Sequence, residues 1–227
     1  MCHTIFNDLG LVVRGDRTGN HWIGTAELTQ STREELLVLT FRTKQFSGCA
    51  SKSETCSQPG RLLGLVFFEG TRKFLGCGIS HLCKSIIVEN VACVNKSIED
   101  PLNSRYYCVV LQYISKLDAE QLRRFVRDNI PEADRPSRKK FNFQHAPAQV
   151  SEQRTGFKHN GVSTFGMQTS IPVIVAGEVV ALKPAFLWLG GGAETVKLRV
   201  SVQDLITTLG ARVADGITTH RTDLDKV

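Results

Sequence analysis

"PAFLWLGGGAETVKLRV" spans Pro184 to Val200 and turns on three consecutive glycines, Gly190, Gly191 and Gly192. Ala185 to Leu189 is short, apolar and aromatic-rich, the pattern of a buried strand. Val196 to Val200 alternates Val-Lys-Leu-Arg-Val, the pattern of a half-buried strand with one wet face. A strand-to-strand turn needs one or two glycines at positive φ. The third leaves two readings: turn chemistry alone, or a ligand that must approach bare backbone.

Working outward, "SVQDLITTLG" (Ser201 to Gly210) opens on a Ser-x-x-Asp capping pattern and stops at glycine, which predicts a short helix. "IPVIVAGEVVAL" (Ile171 to Leu182) predicts a strand, a turn at Gly177 and a further short element. "KSIIVENVACV" (Lys84 to Val94) and "RYYCVVLQYI" (Arg105 to Ile114) are β-prone and predict two buried strands. In "KLDAEQLRRFVRDNIP" the period changes: Leu122, Phe125 and Val126 fall at helical spacing, Asp118 is a cap, Gln121 suits a capping box, and Pro131 ends the segment. Toward the N-terminus, Arg33 to Thr43 predicts a strand, Ser47 to Gly60 a polar loop and Thr71 to Leu75 a short helix. From Gly216 the chain is polar and is expected to fray. Strands outnumber helices without alternating with them. The expected fold class is therefore mixed α/β, a mostly antiparallel sheet or partly closed barrel with flanking helices, in one domain.

Composition narrows the function. The chain has 227 residues and no apolar run of membrane-spanning length or signal-peptide core. Its seven cysteines are odd in number and never spaced as CxxC, which argues against a disulfide framework or a zinc ribbon and favours a reducing, cytoplasmic setting. The formal charge of +6 is concentrated in "DRPSRKKF", where Arg135, Arg138, Lys139 and Lys140 form either a solvated loop or a polyanion contact such as RNA.

Familiar catalytic signatures are missing: no GxSxG, no GxxxxGK[ST], no HExxH. "GCGISH" (Gly76 to His81) is only a partial dinucleotide fingerprint, and His81 with Cys83 lacks the partners of a metal site. Three features remain. Lys84 stands at the mouth of an apolar strand, as a snorkelling stem or a fixed cation at an anion site. "TGFKHNGVSTFG" (Thr155 to Gly166) is a glycine-punctuated loop able to present several backbone N–H groups. The glycine triplet is the third. Together they compose parts of a pocket for an anionic or ester-bearing ligand.

At these residues the chain resembles a known family. "HLCKSIIVEN", "RKKFNFQHAPAQVSEQRTGFKHNGVSTFGMQTSIPVIV" and "FLWLGGGAETVKLRVSVQDLI" are similar, in order and spacing, to the YbaK domain, the editing domain found inserted in or appended to prolyl-tRNA synthetases. The resemblance covers roughly Arg72 to Asp215 and points to the free-standing eukaryotic branch. It implies an editing domain (71–215) followed by a polar C-terminal tail (216–227); the N-terminal region (1–70) lies outside the resemblance and is expected to pack on the main domain, a separate appendage being the alternative.

What the resemblance implies is a trans-editing aminoacyl-tRNA deacylase. Such an enzyme hydrolyses the ester of a small amino acid mischarged on tRNA, Ala or Cys on tRNA(Pro) above all. It needs no cofactor and no metal, and it works with water, backbone donors and the substrate's own ribose hydroxyl. Aminoacyl-tRNA is the implied partner, with a prolyl-tRNA synthetase a second; neither a membrane nor DNA is expected. Lys84 matches the family's essential lysine. Gly161 and the triplet Gly190, Gly191 and Gly192 match the catalytic loops. His159, Asn160, Ser163, Thr164, Gly166 and Lys197 fall in the substrate pocket, and Arg135, Arg138, Lys139 and Lys140 would meet tRNA. This sequence departs from the bacterial pattern at Asn160 and Thr164, where a Gly-x-x-x-Pro loop has its ends, and at Lys197, where an aspartate is frequent. Those departures keep a non-catalytic tRNA- or synthetase-binding module open as the alternative, and hydrolysis of another small ester as a third.

Overall fold

The computed structural model describes residues 75–95, 98, 100–193 and 196–222, together with the backbone of three earlier strands, β1 (Leu11–Gly15), β2 (Gly24–Leu28) and β3 (Leu37–Thr40). The loop expected at Ser47 to Gly60, and all but the last residue of the helix expected at Thr71 to Leu75, lie outside the described residues.

Two sheets carry the domain. The larger holds β4 (Cys83–Asn90), β5 (Tyr106–Gln112), β7 (Phe143–His145), β8 (Val173–Ala176) and β11 (Arg212–Ala214), in the order β11-β8-β5-β4-β7. β4 runs antiparallel to β5 and β7, whereas β8 lies parallel to β5 and to β11. The second sheet is antiparallel, with β10 (Val196–Ser201) between β3 and β9 (Phe186–Gly190). Two antiparallel ribbons complete the strands: β1 with β2, and β6 (Ser115–Leu117) with β12 (Thr218–His220). Mostly antiparallel sheets with flanking helices are what the strand-rich, non-alternating pattern dictates. Among the described residues no sheet closes into a barrel. An isolated parallel bridge between Leu82 and Trp188 instead joins the mouth of β4 to β9.

β5 is buried along its whole length, as a central strand covered on both faces must be. Helix α1 (Ala119–Asp128) buries Leu122 and Val126 in the same core. Asp118 caps it, its side chain accepting from the N–H of Glu120 (2.9 Å) and Gln121 (3.1 Å). The expected capping box forms only by half, because the N–H of Asp118 donates to Ile217 (2.8 Å). Helix α2 (Ala148–Thr155) ends at Gly156 in the left-handed region, φ 77°. The turn expected at Gly177 is the start of the one-turn helix α3 (Gly177–Val180). Helix α4 (Val202–Leu209) is capped by Ser201, which accepts from the N–H of Asp204 (3.0 Å), and stops at Gly210, φ 55°.

Two expectations are corrected. β10 has no fully wet face: Lys197, on the side expected to meet water, is only 7% exposed, since β10 is flanked on both edges. The stretch expected to fray from Gly216 holds β12, tied to β6, with Ile217 fully buried.

Candidate active site

Strand β9 delivers the glycine triplet. Gly190 closes the strand opposite Lys197, and Gly191 donates its N–H to the carbonyl of Val196 (3.0 Å), forming the turn. Gly192 then leaves with φ 97°, a conformation that favours glycine, and its N–H donates to the carbonyl of Gly161 (3.0 Å). The loop after α2 is thereby fastened to the turn, backbone to backbone.

This contact explains the surplus glycine without a ligand. A β-carbon on Gly190 would lie 2.5 Å from the carbonyl oxygen of Val162, and one on Gly191 would lie 2.6 Å from Cγ1 of Val196. One on Gly161 would meet Ala193 Cα at 3.0 Å and the Gly192 carbonyl at 3.1 Å. The space denied to a side chain is thus filled by the protein itself. The reading of a bare backbone kept open for a ligand at these glycines gives way to close loop-on-loop packing.

The donors move accordingly. The N–H groups of Gly161, Gly191 and Gly192 are spent on Lys158, Val196 and Gly161 respectively. Those of Val162, Ser163 and Thr164 have no acceptor among the described residues. Ser163 and Thr164 are each 1% exposed. The Ser163 hydroxyl accepts from the N–H of Phe165 (3.1 Å), while the buried Thr164 Oγ1 has no partner. A buried polar group without a partner is uncommon and marks a place for water or a ligand. Asn160, at φ 65°, adopts the left-handed turn that lets the loop double back, and His159 and Gly166 are exposed on either side of it.

Lys197 pairs with Gly190 directly. The isolated parallel bridge between Leu82 and Trp188 brings the start of β4 to β9, the strand that ends in Gly190, and Lys84 lies two residues beyond Leu82 on β4. Lys84 is half-buried, its ammonium 5.8 Å from the centre of the Tyr113 ring. Trp188 adds a buried indole N–H without a partner. That donor and Ser85, whose buried hydroxyl is equally unpaired, escaped the sequence reading because each sits in an ordinary strand pattern.

His81 is taken up structurally, its Nε2 within 3.1 Å of the Pro184 carbonyl and its ring 4.5 Å from that of Phe186. Burial drives the Cys83 thiol far above the usual thiol range.

The basic cluster lies elsewhere. β4 runs six residues from Lys84 to Asn90, on the order of 20 Å. At that far end Asn90 donates to the carbonyl of Lys140 (3.0 Å) and accepts from the N–H of Asn142 (2.7 Å), pinning the basic turn. Arg138, Lys139 and Lys140 form one exposed 3₁₀ turn. Arg135 does not join them: its guanidinium donates to the carbonyls of Ile130 (3.0 Å) and Asp128 (3.2 Å) at the end of α1. That is a helix C-terminal cation, a structural post.

Comparison by sequence finds no matching protein family and no matching curated protein. By structure, the chain is similar to a scaffold protein used for computational epitope backbone grafting, at 16% identity over 79% of this chain and 84% of that one, with a TM-score of 0.54. It is also similar to the crystal structure of a hypothetical protein, at 22% identity over 67% and 83% of the two chains, TM-score 0.50. A third likeness is to a candidate trans-editing enzyme for prolyl tRNA synthetase, at 17% identity over 72% of this chain and 98% of that one, TM-score 0.51. Among the described residues no helix is long and apolar enough to cross a membrane. At such identities the likeness is one of fold alone.

Proposed function

We propose that the protein is a trans-editing deacylase that hydrolyses the ester between a small amino acid and the 3′-terminal ribose of a tRNA, Ala or Cys on tRNA(Pro) being the preferred pairing. The catalytic unit is 71–215, with the N-terminal region packed on it through β3. The observation that carries this reading is the loop of Val162, Ser163 and Thr164, the last two buried, whose N–H groups find no acceptor among the described residues and which Gly161 fastens to the glycine turn. A site built from main-chain donors suits chemistry that needs no side-chain nucleophile.

In this mechanism water adds to the ester carbonyl carbon and negative charge builds on the carbonyl oxygen, where the loop's N–H groups receive it. The bond between the carbonyl carbon and the ribose 3′ oxygen then breaks; one proton of the water passes through the neighbouring ribose hydroxyl to that leaving oxygen, the other goes to solvent, and the amino acid departs as its carboxylate. A single well-placed donor of this kind contributes about 3–4 kcal/mol to such a transition state. Lys84 clamps the terminal phosphate or ribose, fixing the ester against the loop. Thr164 Oγ1, buried in that loop and without a partner among the described residues, supplies a further polar contact.

One observation favours a second reading. Lys197 is buried beside Gly190, where a cation repels the α-ammonium of an aminoacyl ester. On that reading the fold binds tRNA or a synthetase without cleaving anything. Release of labelled amino acid from Ala-, Cys- and Ser-tRNA(Pro) and from Ala-tRNA(Ala), with native protein and Lys84→Ala, separates the two. Rapid hydrolysis of one substrate, abolished by the substitution, is the expected result. No hydrolysis of any, with tRNA still bound, hands the function to the binding module.

A further inference from the structure

Helix α1 and the basic turn enclose an open cleft of about 470 Å³ that includes Glu120, Arg123, Arg138, Lys139, Phe141 and Asn142 in its lining. Its charges are arranged around one carboxylate. Arg123 donates from Nε to Glu120 Oε2 (2.8 Å) and pairs with Oε1 as well; Arg138 reaches Oε1 at 3.2 Å and Arg124 at 3.5 Å. Three guanidinium groups thus converge on Glu120, with Asp128 a further negative charge acting on Arg123. Lys139 and Lys140 add two exposed cations on the next positions of the turn. Successive residues of a 3₁₀ turn project about a third of a revolution apart; Arg138 and Lys139 line the cleft, while Lys140 is exposed beside it. Phe141, buried at 4%, gives the cleft an apolar wall.

We propose that this cleft, beside the Asn90 end of β4 and on the order of 20 Å along that strand from Lys84, is a binding site for the sugar-phosphate backbone of RNA. Arginine forks match phosphate oxygens in pairs, and Glu120 holds three of them in place before a ligand arrives. The cation excess in the cleft, set in a chain of net charge +6, is complementary to a polyanion. Arg123 thereby enters the interface, and Arg135, committed to the end of α1, leaves it. The attraction for phosphodiesters stands on the cleft alone; the choice of RNA over an acidic protein surface rests on the deacylase reading above.

The test uses the full chain and a fluorescein-labelled RNA hairpin with a single-stranded 3′ end and no amino acid attached, followed by anisotropy over a series of salt concentrations. The doubly reversed variant Arg138→Glu/Lys139→Glu touches only exposed side chains, and a thermal melt checks its fold. The expected result is binding several-fold weaker than wild type, with the slope of log affinity against log salt reduced by roughly 1.4 to 1.8, the share of two phosphate contacts. Arg135→Ala leaves affinity and slope as they are. An unchanged slope in the doubly reversed variant overturns the proposal. Displacement of the RNA by poly-glutamate of equal charge overturns it too, by assigning the cleft to an acidic protein. Because the probe carries no ester, RNA binding without hydrolysis of any aminoacyl-tRNA supports the cleft while sinking the deacylase reading.

Discussion

The N–H of Gly192 donates to the carbonyl of Gly161 at 3.0 Å, which makes two loops distant in sequence into one backbone unit. Adding a methyl to Gly190 places it 2.5 Å from the Val162 carbonyl, a backbone atom that cannot swing aside. Gly190→Ala is therefore expected to cost about 1–3 kcal/mol, measured as a lower urea midpoint at unchanged slope. Gly161→Ala, with contacts at 3.0–3.1 Å, is expected to cost less. Equal stability of Gly190→Ala and wild type would remove the packing account of the triplet.

Gly191 offers a cleaner separation of packing from function. Its added methyl meets chiefly Cγ1 of Val196, at 2.6 Å. Val196→Ala removes that atom, so the double variant Gly191→Ala/Val196→Ala should be more stable than the sum of the single losses, by 0.5 kcal/mol or more. Additive losses in a double-mutant cycle would show that the strain has another source.

Arg135 and its basic neighbours should part company in experiment. Arg135→Ala removes a cation from the carbonyls of Asp128 and Ile130 and is expected to lower stability by about 1 kcal/mol in chemical denaturation. Lys139→Ala, an exposed residue, should leave stability within about 0.5 kcal/mol of wild type. The reverse ranking would return Arg135 to the surface cluster.

Glu120 gives the cleft a pH signature. Hydrogen bonding from Arg123, with the charges of Arg123, Arg138 and Arg124 added, holds its carboxyl down at about 2. A depressed folded-state value means a stabilising contribution present above the ordinary carboxylate range and lost as the pH falls toward 2. The stability gap between wild type and Glu120→Gln should be constant near neutrality and shrink below about pH 4.5, remaining small throughout because the group is exposed and screened. A gap that grows on acidification would contradict the assignment.

Cys83 and Cys108 should resist alkylation in the native protein. Burial pushes the Cys108 thiol up to about 12 and that of Cys83 higher still, so neither carries appreciable thiolate near neutrality. Intact mass after iodoacetamide at pH 8 is expected to show both unlabelled until denaturant is added. Labelling of Cys108 in the folded state would mean that β5 opens.

What could be read in advance follows the range of the interactions. Helices α1 and α4 were legible because their signals are local: Asp118 and Ser201 cap their own N-termini, and Gly210 stops its own helix. The buried strands β4 and β5 announced themselves through β-branched and aromatic runs. Helix α2 gave no such signal, because Thr155 alone of its residues is buried and its sequence has no apolar face. The Val-Lys-Leu-Arg-Val alternation of β10 was correctly a strand, yet the burial of Lys197 depends on packing around β10 that pattern cannot foresee. At the site, the residue types were visible while their jobs were not. Glycine in a turn reads as freedom, and only the Val162 carbonyl shows it to be contact. Arginine beside lysines reads as surface, and only the end of α1 shows Arg135 to be a fastening.

The pairing of β12 with β6, and the bond from the N–H of Asp118 to the carbonyl of Ile217, bring the last described strand back onto the start of α1. A chain leaving the ribosome meets its own middle late. Until Ile217 and the strand after it have emerged, the first turn of α1 lacks one of its anchors and β6 has no mate, so the helix that forms one wall of the cleft is finished only about a hundred residues after its own synthesis. Termination between Gly210 and Ile217 would therefore release a product with every candidate residue present and that wall unfastened.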